Sequence, residues 1–236
     1  MNTKNTRLAI LDFDGTLIQG QSQKLLIAFF FRRKYMSLAR YSALLGWFLL
    51  FKMNLFLSLK TVFNFATSCI KDKKVSEMED AFDTFFASRC VPLIYKNSKE
   101  LIDFLKKNNF HTILVSTAIY PITFRAKQYL GIDDVISTRL EVNNGIYTGK
   151  ILGEPVFGEK KTHVVEEYIK TSGASKESLS VFADHYSDVN LFSIAKNPVA
   201  VNPSSELWKY AQAKKWSVLY LDNDESFQRF KSNIVL

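Results

Sequence analysis

The chain has 236 residues, a formal net charge of +8, and two cysteines, Cys69 and Cys90. That length can bury a real core in one or two domains. Two cysteines without metal-ligand spacing argue against a disulfide framework and a thiol enzyme, and fit a reduced cytoplasmic setting. The polar stretch Met1–Arg7 leads straight into an apolar run, so no cleaved signal peptide is expected.

Leu8 to Leu11 read as a buried strand over residues 7–12 that ends in Asp12-Phe13-Asp14-Gly15-Thr16. Side chains alternate along a strand, so Asp12 and Asp14 point the same way at its carboxyl end, where open α/β sheets bind ligands. Two carboxylates held together need a cation or a proton between them. A metal-assisted phosphoryl-transfer site meets that need; taken alone, the segment could equally be an Asp-Gly turn.

Residues 19 to 95 read as an all-helical insertion without strand alternation. From Gly15 to Lys71 there is no Asp or Glu, whereas Lys24, Arg32, Arg33, Lys34, Arg40, Lys52, Lys60 and Lys71 are all basic. Within it, Tyr41 to Leu59 is strongly apolar, broken by Lys52 and Asn54. Three readings compete: a membrane span, which needs ~20 apolar residues; two packed helices with a break at 52–54; or a basic, aromatic hairpin at a membrane interface. Packing or interface is favoured over a span.

The remainder alternates strands (expected at 111–116, 134–138, 179–183, 197–201 and 216–220) with helices, the pattern of an α/β, Rossmann-like parallel sheet with helices on both faces. The second strand ends in Ser116-Thr117, hydroxyls suited to holding phosphoryl oxygens, or merely capping the next helix. Gly158-Glu159-Lys160-Lys161 opens a helix whose lysine can reach a phosphate, unless the pair is a solvated face. The strand 179–183 delivers Asp184 and then Asp188, oxygen ligands for a hard cation such as Mg2+; alternatively Asp184 is an N-cap. His111, His163 and His185 form no ligand cluster, and only His185 adjoins the site.

In this order the residues resemble the haloacid dehalogenase-like phosphohydrolases, and among them the phosphoserine-phosphatase-like branch. Asp12-Phe13-Asp14-Gly15-Thr16 matches the first motif, Ser116 the second, Gly158-x-x-Lys161 the third and Asp184…Asp188 the fourth. Asn144-Gly145-Ile146-Tyr147-Thr148-Gly149 is similar to the branch's hairpin before the lysine. The resemblance implies a catalytic core of residues 1–18 and 96–236 with a helical cap at 19–95. It implies that Asp12 is the nucleophile and Asp14 the general acid, then base. Ser116 and Lys161, with Thr117 and Gly15 beside them, would hold the phosphoryl group. Mg2+ would be held by Asp12, the Asp14 carbonyl and Asp184, with Asp188 behind them or an occasional direct ligand.

In phosphoserine phosphatases a glutamate nine residues after the nucleophile meets the substrate's amino group. Here that position is Gln21, which lines the site with His185 but offers an ammonium no charge. A basic, apolar cap and the sequence Asp184-His185-Tyr186-Ser187-Asp188 are similar to phosphatidylglycerophosphatase C-type enzymes. That similarity implies a lipid phosphate substrate and peripheral contact at the inner face of the membrane, with Trp47, Phe48 and Phe51 reading the lipid. A small soluble phosphate ester is the alternative. Nucleic-acid binding is disfavoured, because the basic residues are scattered among aliphatics without a reading motif.

Overall fold

The structure is a computed structural model that describes residues 7–52, 58–174 and 176–233. In chain order, β1 (Arg7–Leu11) is followed by four helices, α1 (Ser22–Arg32), α2 (Leu38–Lys52), α3 (Leu59–Thr67) and α4 (Val75–Phe85). Then come α5 (Ser98–Lys107), β2 (Phe110–Ile119), α6 (Tyr120–Leu130), β3 (Asp134–Thr138), β4 (Leu140–Asn143) and β5 (Ile146–Ile151). The chain continues with α7 (Glu159–Ser172), β6 (Leu179–Ala183), α8 (Val189–Ser193), β7 (Asn197–Val201), α9 (Ser205–Lys214), β8 (Ser217–Leu219) and α10 (Asp224–Asn233).

Six strands form one sheet in the order β3-β2-β1-β6-β7-β8, and every neighbouring pair is parallel. Buried parallel strands read as continuous apolar runs because both faces are covered. In β1, Ala9 and Leu11 join the core shared with Leu101 and Leu105 of α5, Ile122 and Ala126 of α6 and Phe227 of α10. Leu8 and Ile10 join the opposite core, with Val165 and Ile169 of α7, Leu191 of α8 and Leu207 of α9. The expected strands at 134–138, 179–183 and 197–201 are found at those residues. β2 runs three residues beyond the expected 116, carrying the chain past Ser116 as strand, and β8 is shorter than 216–220.

Between β1 and β2 the described residues form no strand, and the apolar core of this insertion, including Phe29, Phe30, Met78, Phe82 and Phe85, is continuous with the α5/α6 face of the sheet. No helix of the described residues is long and apolar enough to cross a membrane. α2 ends at Lys52 and α3 begins at Leu59; part of the expected break at 52–54 lies outside the described residues. Trp47 packs edge-on against Phe65 and Phe48 lies beneath the Lys24 ammonium, so these aromatics are packing groups of the insertion. The side chain of Phe51 lies outside the described residues.

Among the contacts that fasten the insertion to the sheet domain, two are prominent. The β4–β5 hairpin turns on Asn144 and Gly145, both at positive φ, as a two-residue type I′ turn requires. Main-chain bonds link its second strand to the insertion: Asp72 N–H to Tyr147 O, Tyr147 N–H to Lys73 O and Val75 N–H to Gly145 O, each 2.9 Å. The second fastening is Arg125 of α6, a buried side chain. Its guanidinium donates to Asp83 (2.6 Å) and to the Glu79 carboxylate (2.6 Å) and carbonyl (3.0 Å) of α4.

Charge-assisted hydrogen bonds contribute more than neutral ones, although Asp83 and Glu79 are well exposed and partly screened. Arg125→Met should therefore lower unfolding stability by about 1–3 kcal/mol, measured by urea denaturation. A change within about 0.5 kcal/mol, the size of an ordinary surface substitution, would show that the pairs do not fasten α4 to α6.

Candidate active site

The site lies where β1, β2 and β6 end. Leu11 pairs with Leu114 on one side and with Phe182 on the other. Ser116 and Asp184 therefore lie at equivalent levels, each two residues beyond its strand's partner of Leu11. Phe13 continues the alternation of Ala9 and Leu11 into the core, which turns Asp12 and Asp14 together to the opposite side.

Lys161 enters from the first turn of α7. Helical side chains lean toward the amino terminus, and its ammonium reaches Asp12 Oδ1 at 3.0 Å and Asp188 Oδ2 at 2.8 Å. Lys161 is buried and Lys160 half-buried. Burial alone would lower the Lys161 pKa, but Asp12 and Asp188 outweigh it and hold the ammonium above its ordinary range.

Asp14 is oriented from the insertion. Ser22, the first residue of α1, donates its backbone N–H to Asp14 Oδ1 (2.6 Å) and its hydroxyl to Oδ2 (3.0 Å). Burial still pushes the Asp14 carboxyl up to about 7, against these two bonds. Such a value suits a group that must give and then take a proton near neutral pH. Asp184 accepts from the Thr16 hydroxyl at 3.2 Å; burial and the neighbouring Asp12 raise it to about 8. Burial also raises Asp12, with Lys161 opposing and Asp188 adding to the rise.

Four carboxylates thus crowd around one ammonium, an arrangement with room for added positive charge. Among the described residues no three or more His, Cys, Asp or Glu side chains converge as a ready ligand cage. Mg2+ does not need one: it keeps several waters and takes one or two carboxylates plus a phosphate oxygen. Two features fit it. Asp188 Oδ1 is buried without a hydrogen-bond partner. Gly15, at φ +80°, lets the Asp184 carboxylate lie close against the main chain, since a Cβ there would fall 2.2 Å from Asp184 Oδ2.

Ser116 is buried, and its Oγ accepts from the Ala118 N–H at 3.1 Å, so it closes a local turn ahead of α6 without capping that helix. Thr117 departs from expectation. Its hydroxyl donates to the Val156 carbonyl (2.9 Å) and its carbonyl accepts from the Thr138 hydroxyl (2.8 Å). Thr117 therefore ties β2 to the loop before α7, with its hydroxyl proton already given to Val156. Gln21 is exposed directly before Ser22. His185 is also exposed, and its Nδ1 accepts from the Ser187 N–H at 3.1 Å, capping the short turn Tyr186–Asp188. Away from the site, His111 bonds Asp134 and Tyr168, and His163 pairs with Glu167 on α7.

The supporting roles of Thr16, Ser22 and Asn202 are not assigned by the sequence. The Asn202 amide donates to the Thr16 carbonyl at 3.2 Å, and the Ser204 N–H donates to the Asp184 carbonyl at 2.8 Å. Only Thr16, inside the first motif, carried a signal; Ser22 and Asn202 become relevant through long-range folding.

A match to the haloacid dehalogenase-like hydrolase family spans residues 9–193, including every one of these groups except Asn202 and Ser204. The chain belongs to the haloacid dehalogenase-like hydrolases. It is similar to a histidinol-phosphatase of Neisseria meningitidis, 26% identical over 90% of this chain and 97% of that protein. It is also similar to a phosphoserine phosphatase of Wolinella succinogenes, 26% identical over 82% of this chain and 86% of that protein. A solved structure of a phospho-aspartyl intermediate analogue of phosphoserine phosphatase shares the fold, with a TM-score of 0.67 and 20% identity over 98% of this chain and all of that one. These likenesses are consistent with the phosphoserine-phosphatase-like branch of the family and with a phosphoric monoester hydrolase.

Gly15→Ala should leave the protein folded but displace Asp184, by about the ~1 Å misplacement that can cost roughly 10²-fold in turnover. Steady-state kinetics beside a circular dichroism spectrum check this. Near-normal turnover would mean that the close approach of Asp184 to Gly15 is not needed.

Proposed function

We propose that the chain is a Mg2+-dependent phosphatase of a small soluble phosphate ester, working through an aspartyl-phosphate on Asp12. The observation that carries this reading is the largely enclosed Asp12 carboxylate, 3.0 Å from the Lys161 ammonium at the carboxyl end of the central strand pair. Residues 1–18 and 96–236 act as the catalytic core in this reading, and residues 19–95 as a cap above it.

Lys161 and Ser116 would receive the phosphoryl oxygens, and the ammonium would move its interaction from Asp12 to the substrate as phosphate arrives. Asp12 then attacks phosphorus, while Asp14, protonated at that stage, gives its proton to the leaving oxygen. In the second half Asp14, now ionised, takes a proton from water, which attacks phosphorus and releases Asp12. Mg2+, held by Asp12, the Asp14 carbonyl and Asp184 with Asp188 close by, would supply positive charge against the transferring group. Ser22 fixes the direction in which Asp14 meets the leaving oxygen.

The soluble ester ranks ahead of a lipid phosphate. Relatives along most of the chain's length carry the names of small-ester phosphatases, and Trp47 and Phe48 are engaged in packing. The favoured ester has no ammonium near the phosphate. Gln21 is neutral, and no acidic residue occurs from Gly15 to Lys71.

Asp12→Asn should reduce phosphate release to background, and Asp14→Asn by roughly 10²–10⁴-fold; substantial turnover by Asp12→Asn contradicts the route. EDTA should abolish activity and Mg2+ restore it, whereas activity indifferent to chelation contradicts the metal assignment. Gln21→Glu should raise kcat/KM for phosphoserine relative to an ester lacking an amino group. An unchanged ratio would remove Gln21 from substrate recognition.

A further inference from the structure

The outward face of α2 departs from the ordinary rule for a surface helix, whose exposed side is charged or polar. Its exposed described residues are Leu38, Ala39, Ser42, Leu45, Gly46 and Leu50. At ~100° per residue these six fall within about 140° of the helix circumference. None carries a charge, and Leu38 and Leu45 are 65% and 49% exposed. The one arginine of the helix, Arg40, is instead folded over the Phe65 ring at 5.5 Å. A contiguous exposed apolar face of this kind marks a contact surface.

Its surroundings indicate what it contacts. Arg32, at the end of α1, and Arg33 and Lys34, in the turn that leads on to α2, are exposed, Arg33 lying over the Phe29 ring at 5.4 Å, and none pairs with a carboxylate among the described residues. The segment from Gly15 to Lys71 has eight basic residues and no acidic one, which equals the net charge of the entire chain. A second copy docked on this face would bring two such acid-free segments together. Exposed leucines beside uncompensated arginines and lysine complement a surface that is anionic outside and apolar beneath.

We propose that α2 and the Arg32–Lys34 turn dock on an anionic phospholipid bilayer, with Leu38 and Leu45 entering the headgroup layer while the chain stays on one side. The contact is independent of which ester the site hydrolyses, because no described residue of α2 touches the groups of that site.

The full-length protein would be sedimented with phosphatidylglycerol-rich vesicles and, separately, with pure phosphatidylcholine vesicles. Retention on the anionic vesicles alone is expected, weakening as salt screens the charges. Leu38→Gln/Leu45→Gln and Arg32→Glu/Arg33→Glu should each reduce retention several-fold while leaving hydrolysis of a soluble ester unchanged, which also reports that both variants fold. Failure of the wild type to sediment with anionic vesicles would overturn the proposal, as would undiminished retention of both variants. A dimer in light scattering that the leucine variant dissolves, without vesicle binding, would assign the face to a second copy and overturn it equally.

Discussion

The structure is organised around one electrostatic constraint: a single buried ammonium, Lys161, faces Asp12 and Asp188 directly, with Asp14 and Asp184 close enough to feel the same charges. Buried carboxylates are tolerated only when paired, protonated or bound to a cation. Each has a distinct solution here. Asp12 and Asp188 share the lysine, Asp14 leans on Ser22 and stays near its midpoint at about 7, and Asp184 takes the Thr16 hydroxyl and lies close against Gly15. That inequality gives four carboxylates of one residue type different characters, as the proposed roles of nucleophile, acid and cation ligand require.

The sheet sets this constellation by register. A parallel sheet places the ends of β1, β2 and β6 side by side, and the Leu11 pairings bring Ser116 and Asp184 to matching levels on either side of it. The insertion contributes one direct group, Ser22, and is held by the β5 edge and the Arg125 ion pairs. Displacing α1 would therefore release Asp14, so the placement of the insertion sets the direction of that carboxylate.

Much of this was legible in the sequence because it is local. Apolar runs ending in carboxylates or hydroxyls identify both strands and their functional ends, and Lys161 is set by the helix start that Gly158 precedes. What escaped notice depends on pairing between distant segments. Thr117 is a strand-end hydroxyl in sequence, but Val156 approaches it from 39 residues away. The Ser22–Asp14 bond spans eight residues across a turn that periodicity does not describe, and the Arg125 fastening joins elements 42 residues apart. The apolar stretch of α2 shows why periodicity misleads there: leucines cover both sides of the helix, Leu44 wholly buried and Leu45 half exposed.

The central claim is that Asp12 carries the phosphoryl group during turnover, and acid-quenched mass spectrometry of the enzyme mixed with a turned-over phosphate ester tests it most directly. The account predicts a phosphoryl adduct, labile to hydroxylamine, on the peptide containing Asp12, and none in Asp12→Asn. An adduct on another residue, or rapid turnover of the same ester with no adduct at any quench time under conditions that slow the second step, would contradict it.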